Sequence, residues 1–160
     1  MKFLETKAIN ALAAGLVVAA SPLFGGNARA GADTWTGATS ARWGDSNWTG
    51  ANNPPASGDS LIFSSATGVG GTALNDNLTS TAFSLAGITF YSGAAAFTVS
   101  GNPFILEGGI TNNSNASLET INDQFSVTGS QTLTTTSGGG DISLAAGCTA
   151  HDHTSADEVP

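Results

Sequence analysis

The stretch Phe83-Ser-Leu-Ala-Gly-Ile-Thr-Phe-Tyr91 decides the fold, together with Phe97-Thr-Val-Ser-Gly-Asn102, Ile105-Leu-Glu-Gly-Gly-Ile110, Thr120-Ile-Asn122 and Phe125-Ser-Val-Thr-Gly129, which follow it. Apolar residues alternate at Phe83 and Leu85, then at Ile88 and Phe90, and a period of two is the signature of a strand with one face buried. Gly87 breaks the phase between the two pairs, which reads as a bulge or a close backbone approach. Each later segment repeats a short apolar pair followed by a polar corner.

Working outward, strands are expected at Ser60 to Ser64, Phe83 to Tyr91, Ala96 to Ser100, Phe104 to Glu107, Leu118 to Ile121, Gln124 to Thr128, Gln131 to Thr135 and Asp141 to Leu144. Between them lie Ser92-Gly93, Ser100-Gly101-Asn102-Pro103, Gly108-Gly109, Asn112 to Asn115, Thr128-Gly129-Ser130 and Ser137 to Gly140. These residue types tolerate positive φ or fold a side chain back on the backbone. Connections so short leave no room for crossover helices, and no stretch after Ala30 is apolar at helical spacing over three turns. The chain is therefore expected to be all-β. A right-handed parallel β-helix, or solenoid, fits the recurrence of strand and corner better than the alternative, a β-sandwich, because each coil then buries its inward residues on those of the next.

Residues 1–30 have a different character. Lys2 and Lys7 precede an apolar run from Ala11 to Ala20, and the segment closes on Ala28-Arg29-Ala30. This is the pattern of a secretory signal peptide, with cleavage expected between Ala30 and Gly31. Asn10 and Pro22 interrupt the apolar run, which falls short of the roughly 20 residues that span a bilayer. The remainder, residues 31–160, carries one Arg against eleven Asp and Glu, a formal charge of −10. Nucleic acids and anionic lipid surfaces are recognised by clustered cations, so neither is expected as a partner. With Cys148 as the only cysteine, no internal disulfide can form, and stability must come from packing.

Trp35, Trp43 and Trp48 all lie within the first eighteen residues after the leader. Packed over the first coil they would cover its apolar end and its strand edge. Alternatively, their flat rings would form a platform for stacking a sugar. The expected organisation is thus a leader at 1–30, a Trp-rich cap at 31–64, a solenoid at 65–147 and a non-repeat, disordered tail at 148–160.

The series Thr34-Trp-Thr-Gly37, Trp43, Asn47-Trp48, Pro54, Gly58-Asp59, Phe63 and Gly87-Ile-Thr-Phe90 resembles the start of secreted bacterial proteins with autotransporter-associated β-strand repeats. Phe97 to Asn102, Ile105 to Ser114 and Thr120 to Asn122 are similar to the passenger repeat of that family. The resemblance covers about Thr34 to Leu144. It implies an exported passenger-type β-helix with a structural, adhesive or secretion-assisting role at the bacterial cell surface, or released from it, and it does not imply an enzyme. Members of the family are longer and commonly end in an outer-membrane barrel or a sorting tail. Here Thr149 to Pro160 are polar and acidic, so a truncated or frameshifted end is expected.

The residues of a type that carries chemistry are few. Cys148, His151, Asp152 and His153 have metal-ligand types, but two His flanking a single residue in an expected tail make a poor zinc site. A polysaccharide lyase needs a cation beside its base, and only Arg42 is left. A glycosidase needs two carboxylates facing one another, and spacing places no two of Asp45, Asp59, Asp76, Glu107, Glu119, Asp123 and Asp141 together. Most of these read as turn residues bracing the backbone. No Asp-x-Asp-x-Asp loop for calcium occurs, Asn112, Asn113 and Asn115 read as corners, and Ser137 to Gly140 lacks the Lys of a phosphate loop. No cofactor, metal or catalytic residue is expected. The expected role is a structural or adhesive surface element, with surface polysaccharide or other cell-surface components as partners; a carbohydrate-binding module using the Trp cluster and a polysaccharide-active β-helix enzyme are the alternatives.

Overall fold

A computed structural model describes residues 30–79, 82–115, 117–136, 139–145 and 149–151. They form a parallel β-solenoid of about four turns. The leader expected at 1–30 lies outside the described residues except for Ala30. The strands in chain order are β1 (Ala32–Trp35), β2 (Trp48–Gly50), β3 (Asp59–Phe63), β4 (Ala73–Asp76), β5 (Ser84–Phe90), β6 (Thr98–Gly101), β7 (Phe104–Leu106), β8 (Ile110–Asn112), β9 (Glu119–Ile121), β10 (Phe125–Thr128), β11 (Leu133–Thr135), β12 (Ile142–Leu144) and β13 (Thr149–His151).

Stacking follows directly from the alternation. On one face β1, β3, β5, β8 and β11 lie in register; Leu61, Ile88 and Ile110 form a buried column that the more exposed Leu133 continues. On a second face β4, β6, β9 and β12 stack Leu74, Val99, Ile121 and Leu144. A third column, Leu85, Leu106 and Val127, runs through β5, β7 and β10, where Phe104 and Phe125 also stack with ring centroids 5.4 Å apart. The alternate positions of the first face hold short, mostly polar groups, in the column Thr34, Ile62, Thr89, Thr111 and Thr134.

The bend at Gly87 explains how a two-faced coil becomes a three-faced one. Ser84 and Leu85 pair with β7, whereas Ile88 to Phe90 pair with β8, and the register against β3 shifts between Asp59 and Ser60. In the next coil Glu107-Gly108-Gly109 turns the same corner between β7 and β8. A Cβ on Gly108 would run into the carbonyl oxygen of Ala86 in the coil below. Gly108→Ala is therefore expected to cost about 1–3 kcal/mol by forcing two coils apart, measurable as a lower urea midpoint with an unchanged slope.

All eight expected strands occur, each within two residues of its expected ends. Five more, β1, β2, β4, β8 and β13, lie where the local pattern announces no strand. Two of these redraw the organisation. Because β1 pairs with β3 and β3 with β5, the region expected to be a Trp-rich cap itself supplies the first two coils. In the segment expected to be a tail, β13 instead adds a parallel strand to β10.

Candidate functional site

The first coil ends in a closed aromatic cluster. Strand β2 folds back antiparallel on β1, pairing Trp35 with Trp48 and occupying the free edge of the first strand. Trp35 and Trp43 are fully buried, and Trp48 is 2% exposed. Trp35 and Trp43 meet Trp48 edge to face at 5.0 and 5.9 Å, and all three surround Phe63. The indole N–H of Trp48 donates to the Trp43 carbonyl at 2.8 Å. Asn47, also fully buried, ties the loop together: its Oδ1 accepts from the N–H of Thr39 and Ser40, and its Nδ2 donates to the carbonyl of Arg42. Stacking a sugar on these indoles would require the cluster to open.

The more unusual feature, among the described residues, is a set of five buried acids: Asp33, Asp59, Asp76, Glu119 and Asp123. The turn-and-edge role expected for the acids holds for Asp59, whose carboxylate accepts from the N–H of Gly31 and Ala56 at 2.7 Å each and from the Asn52 amide at 2.8 Å. Burial raises its pKa, but the N–H groups of Gly31 and Ala56 outweigh that and hold it below the ordinary value. Its neighbour Asp33 is raised, first by burial, against the opposing N–H of Asn52.

Asp76, Glu119 and Asp123 depart from that role. They point inward among apolar columns, and burial lifts them to about 6, about 7 and about 7 respectively. Asp76 opposes Gly101 in the adjacent coil, and continuing the β6–β9 register puts Gly101 opposite Asp123. Two coils, about 10 Å of backbone, thus separate the two Asp residues, with only a glycine between. The Asp76 charge adds to the rise at Asp123, and the Gly101 N–H offsets only part of it, because neither Asp123 oxygen is reached by a well-formed hydrogen bond. Glu119 receives the N–H of Phe97 at 2.8 Å on one oxygen and no well-formed hydrogen bond on the other, with the Ser114 side chain near enough to offset a little of the rise.

The fold therefore brings together Asp33 with Asp59 and Asp76 with Asp123, which spacing in the chain does not indicate. Asp76 and Asp123 lie inside the coil stack, whereas Asp33 and Asp59 lie at its first coil, next to Gly31 and the exposed Ala30. The sequence does carry a signal for them. Each buried acid stands two residues from an inward apolar residue: Asp33 from Trp35, Asp59 from Leu61, Asp76 from Leu74, and both Glu119 and Asp123 from Ile121. The strand period alone places them inside.

Asn112 is a corner residue, as expected, but a buried one. It follows Phe63 and Phe90 in their column, accepts from the Ser114 N–H and donates to the carbonyls of Ser117 and Asp141. Of the residues with metal-ligand types in the expected tail, Cys148, Asp152 and His153 lie outside the described residues, and His151 is described only as part of β13. Among the described residues no group of three or more His, Cys, Asp or Glu is placed to hold a metal. No helix among them is long and apolar enough to cross a membrane. Comparison with protein-family models, with curated proteins and with solved structures finds no match.

Proposed function

We propose that the chain is an exported, passenger-type β-solenoid that serves as a structural or adhesive element at the bacterial cell surface, without catalytic activity. The observation that carries this reading is the division of the coil stack: five acids that could do chemistry are turned inward, while the alternate positions of the strands form rows of short, mostly polar side chains. The column Thr34, Ile62, Thr89, Thr111 and Thr134 repeats a similar group at the coil spacing of about 4.8 Å. Such a row suits many weak contacts with an extended partner such as a surface polysaccharide, where repetition supplies avidity. The leader-like residues 1–30 and the charge of −10 on the remainder agree with a destination outside the cytoplasm and with avoidance of nucleic acid.

The test is to express the whole chain with a C-terminal epitope in a bacterium and treat intact cells with protease. The epitope is expected to be outside the cytoplasm, cell-bound or released, on a chain that has lost its first thirty residues. Recovery in the cytoplasm with Met1 to Ala30 still attached would overturn the reading.

A further inference from the structure

Gly31 occupies a singular position. Its backbone N–H donates to Asp59 Oδ1 at 2.7 Å across 28 residues of chain, and its carbonyl accepts from Ser60 at 2.8 Å. Ala30, immediately before it, is exposed, and β1 begins immediately after it at Ala32. A side chain at this position would collide with the Ala51 methyl group, so only glycine lets the backbone nitrogen approach the carboxylate this closely. Asp59 itself is 1% exposed, and the fully buried Asp33 stands beside it. Two carboxyl groups thus meet at the start of the first coil. The only Lys or Arg of residues 31–160 is Arg42, which belongs to a different loop and bridges to Asn75.

We infer that the Asp59 carboxylate, with Asp33 beside it, is a binding site for a primary ammonium group, namely the new α-amino end of this chain created by a cut between Ala30 and Gly31. The inference rests on the leader reading above. Hydrolysis of the Ala30–Gly31 peptide bond consumes one water, leaves a carboxylate on Ala30 and gives Gly31 an amine that is protonated at neutral pH. That nitrogen already lies on Asp59. Cleavage therefore replaces a neutral N–H donor with a charged one in an existing, partly buried contact, without moving a coil. A charge-assisted hydrogen bond is roughly twice as strong as a neutral one, and here it also supplies the missing counter-charge to the acid pair. Removal of the leader thus locks β1 onto β3 and the cap onto the stack.

Every described residue but Ala30 lies within 31–151, so a chain beginning at Gly31 keeps all of the strands. Three forms of it are compared by thermal unfolding at pH 6.5: a free Gly31 amine, an N-acetylated Gly31, and a chain that retains Ala30. The free amine is expected to raise Tm by about 5 °C or more over the other two, and Asp59→Asn is expected to abolish the difference. Equal melting of all three overturns the ammonium site whatever happens in the cell. If Asp59→Asn does not fold, the comparison of free with acetylated amine still decides. Mass determination of the exported protein tests the leader reading separately, and a first residue other than Gly31 overturns the link to processing.

Discussion

Phe63→Ala is expected to lower the unfolding free energy by about 3–5 kcal/mol, roughly a fifth or more of the 5–15 kcal/mol that typically holds a domain together. Phe63 is fully buried and stands where the cap meets the stack. Its ring is 5.7 to 6.4 Å from Trp35, Trp43 and Trp48 on one side. On the other it is 5.1 Å from Phe90 and 5.2 Å from Phe97. Deleting it removes apolar burial, opens a cavity and breaks five aromatic contacts at once, each worth about 0.5–1.5 kcal/mol beyond area. Phe125→Ala is the natural comparison, since Phe125 is also buried but stacks on a single ring, that of Phe104. Urea unfolding followed by Trp fluorescence should show a much larger fall in midpoint for Phe63→Ala than for Phe125→Ala. Equal losses would mean that the ring cluster does not close this end of the solenoid.

The contrast between those two residues also shows what can be read from the chain. Strands with two or more apolar residues in alternation, such as β3, β5 and β7, announce themselves. Strand β4, Ala73-Leu-Asn-Asp76, has one large apolar residue and ends on an inward acid, and β8, Ile110-Thr-Asn112, has one and ends on an inward Asn. In a solenoid a three-residue strand is held by neighbours above and below, so a single apolar side chain suffices and the local signal fades. The acids hide for a related reason. Asp after a short strand followed by Asn or Gln looks like a turn, and only the continuing period of two reveals that Asp76 and Asp123 still point inward. Which acids meet depends on coil lengths: 25 residues separate Leu74 from Val99, and 22 separate Val99 from Ile121. That register arises from the corners and cannot be counted from the strands.

Those same inward acids give the largest expected dependence on conditions. Asp76, Glu119 and Asp123 have folded pKa values of about 6, about 7 and about 7, all above their ordinary values, with burial the first cause in each. The folded chain therefore holds these protons more tightly than the unfolded chain does. The resulting stability is complete below the ordinary carboxylate range and is lost as pH rises through about 6 to 7. Asp59, held below its ordinary value, acts in the opposite sense: its contribution is present above the ordinary range and is lost as pH falls through its folded value. Stability should thus peak at about pH 4–5 and fall by at least about 3 kcal/mol by pH 8, since a tenfold change in proton affinity corresponds to roughly 1.4 kcal/mol. Asp76 and Asp123 share one corner, so ionising the second costs more than the first and the second proton is held to higher pH. Asp123→Asn keeps the shape and removes one charge, so it should be more stable than the unaltered chain at pH 8, with the gap closing only below about pH 4, where Asp123 is protonated in the folded and the unfolded chain alike. Raising NaCl to about 1 M shortens the screening length to about 3 Å. Repulsion among surface acids would then vanish, whereas the cost of charging an acid inside the coils would persist. A stability that is flat or rising from pH 5 to 8 in high salt would show that Asp76 and Asp123 are ionised at little cost.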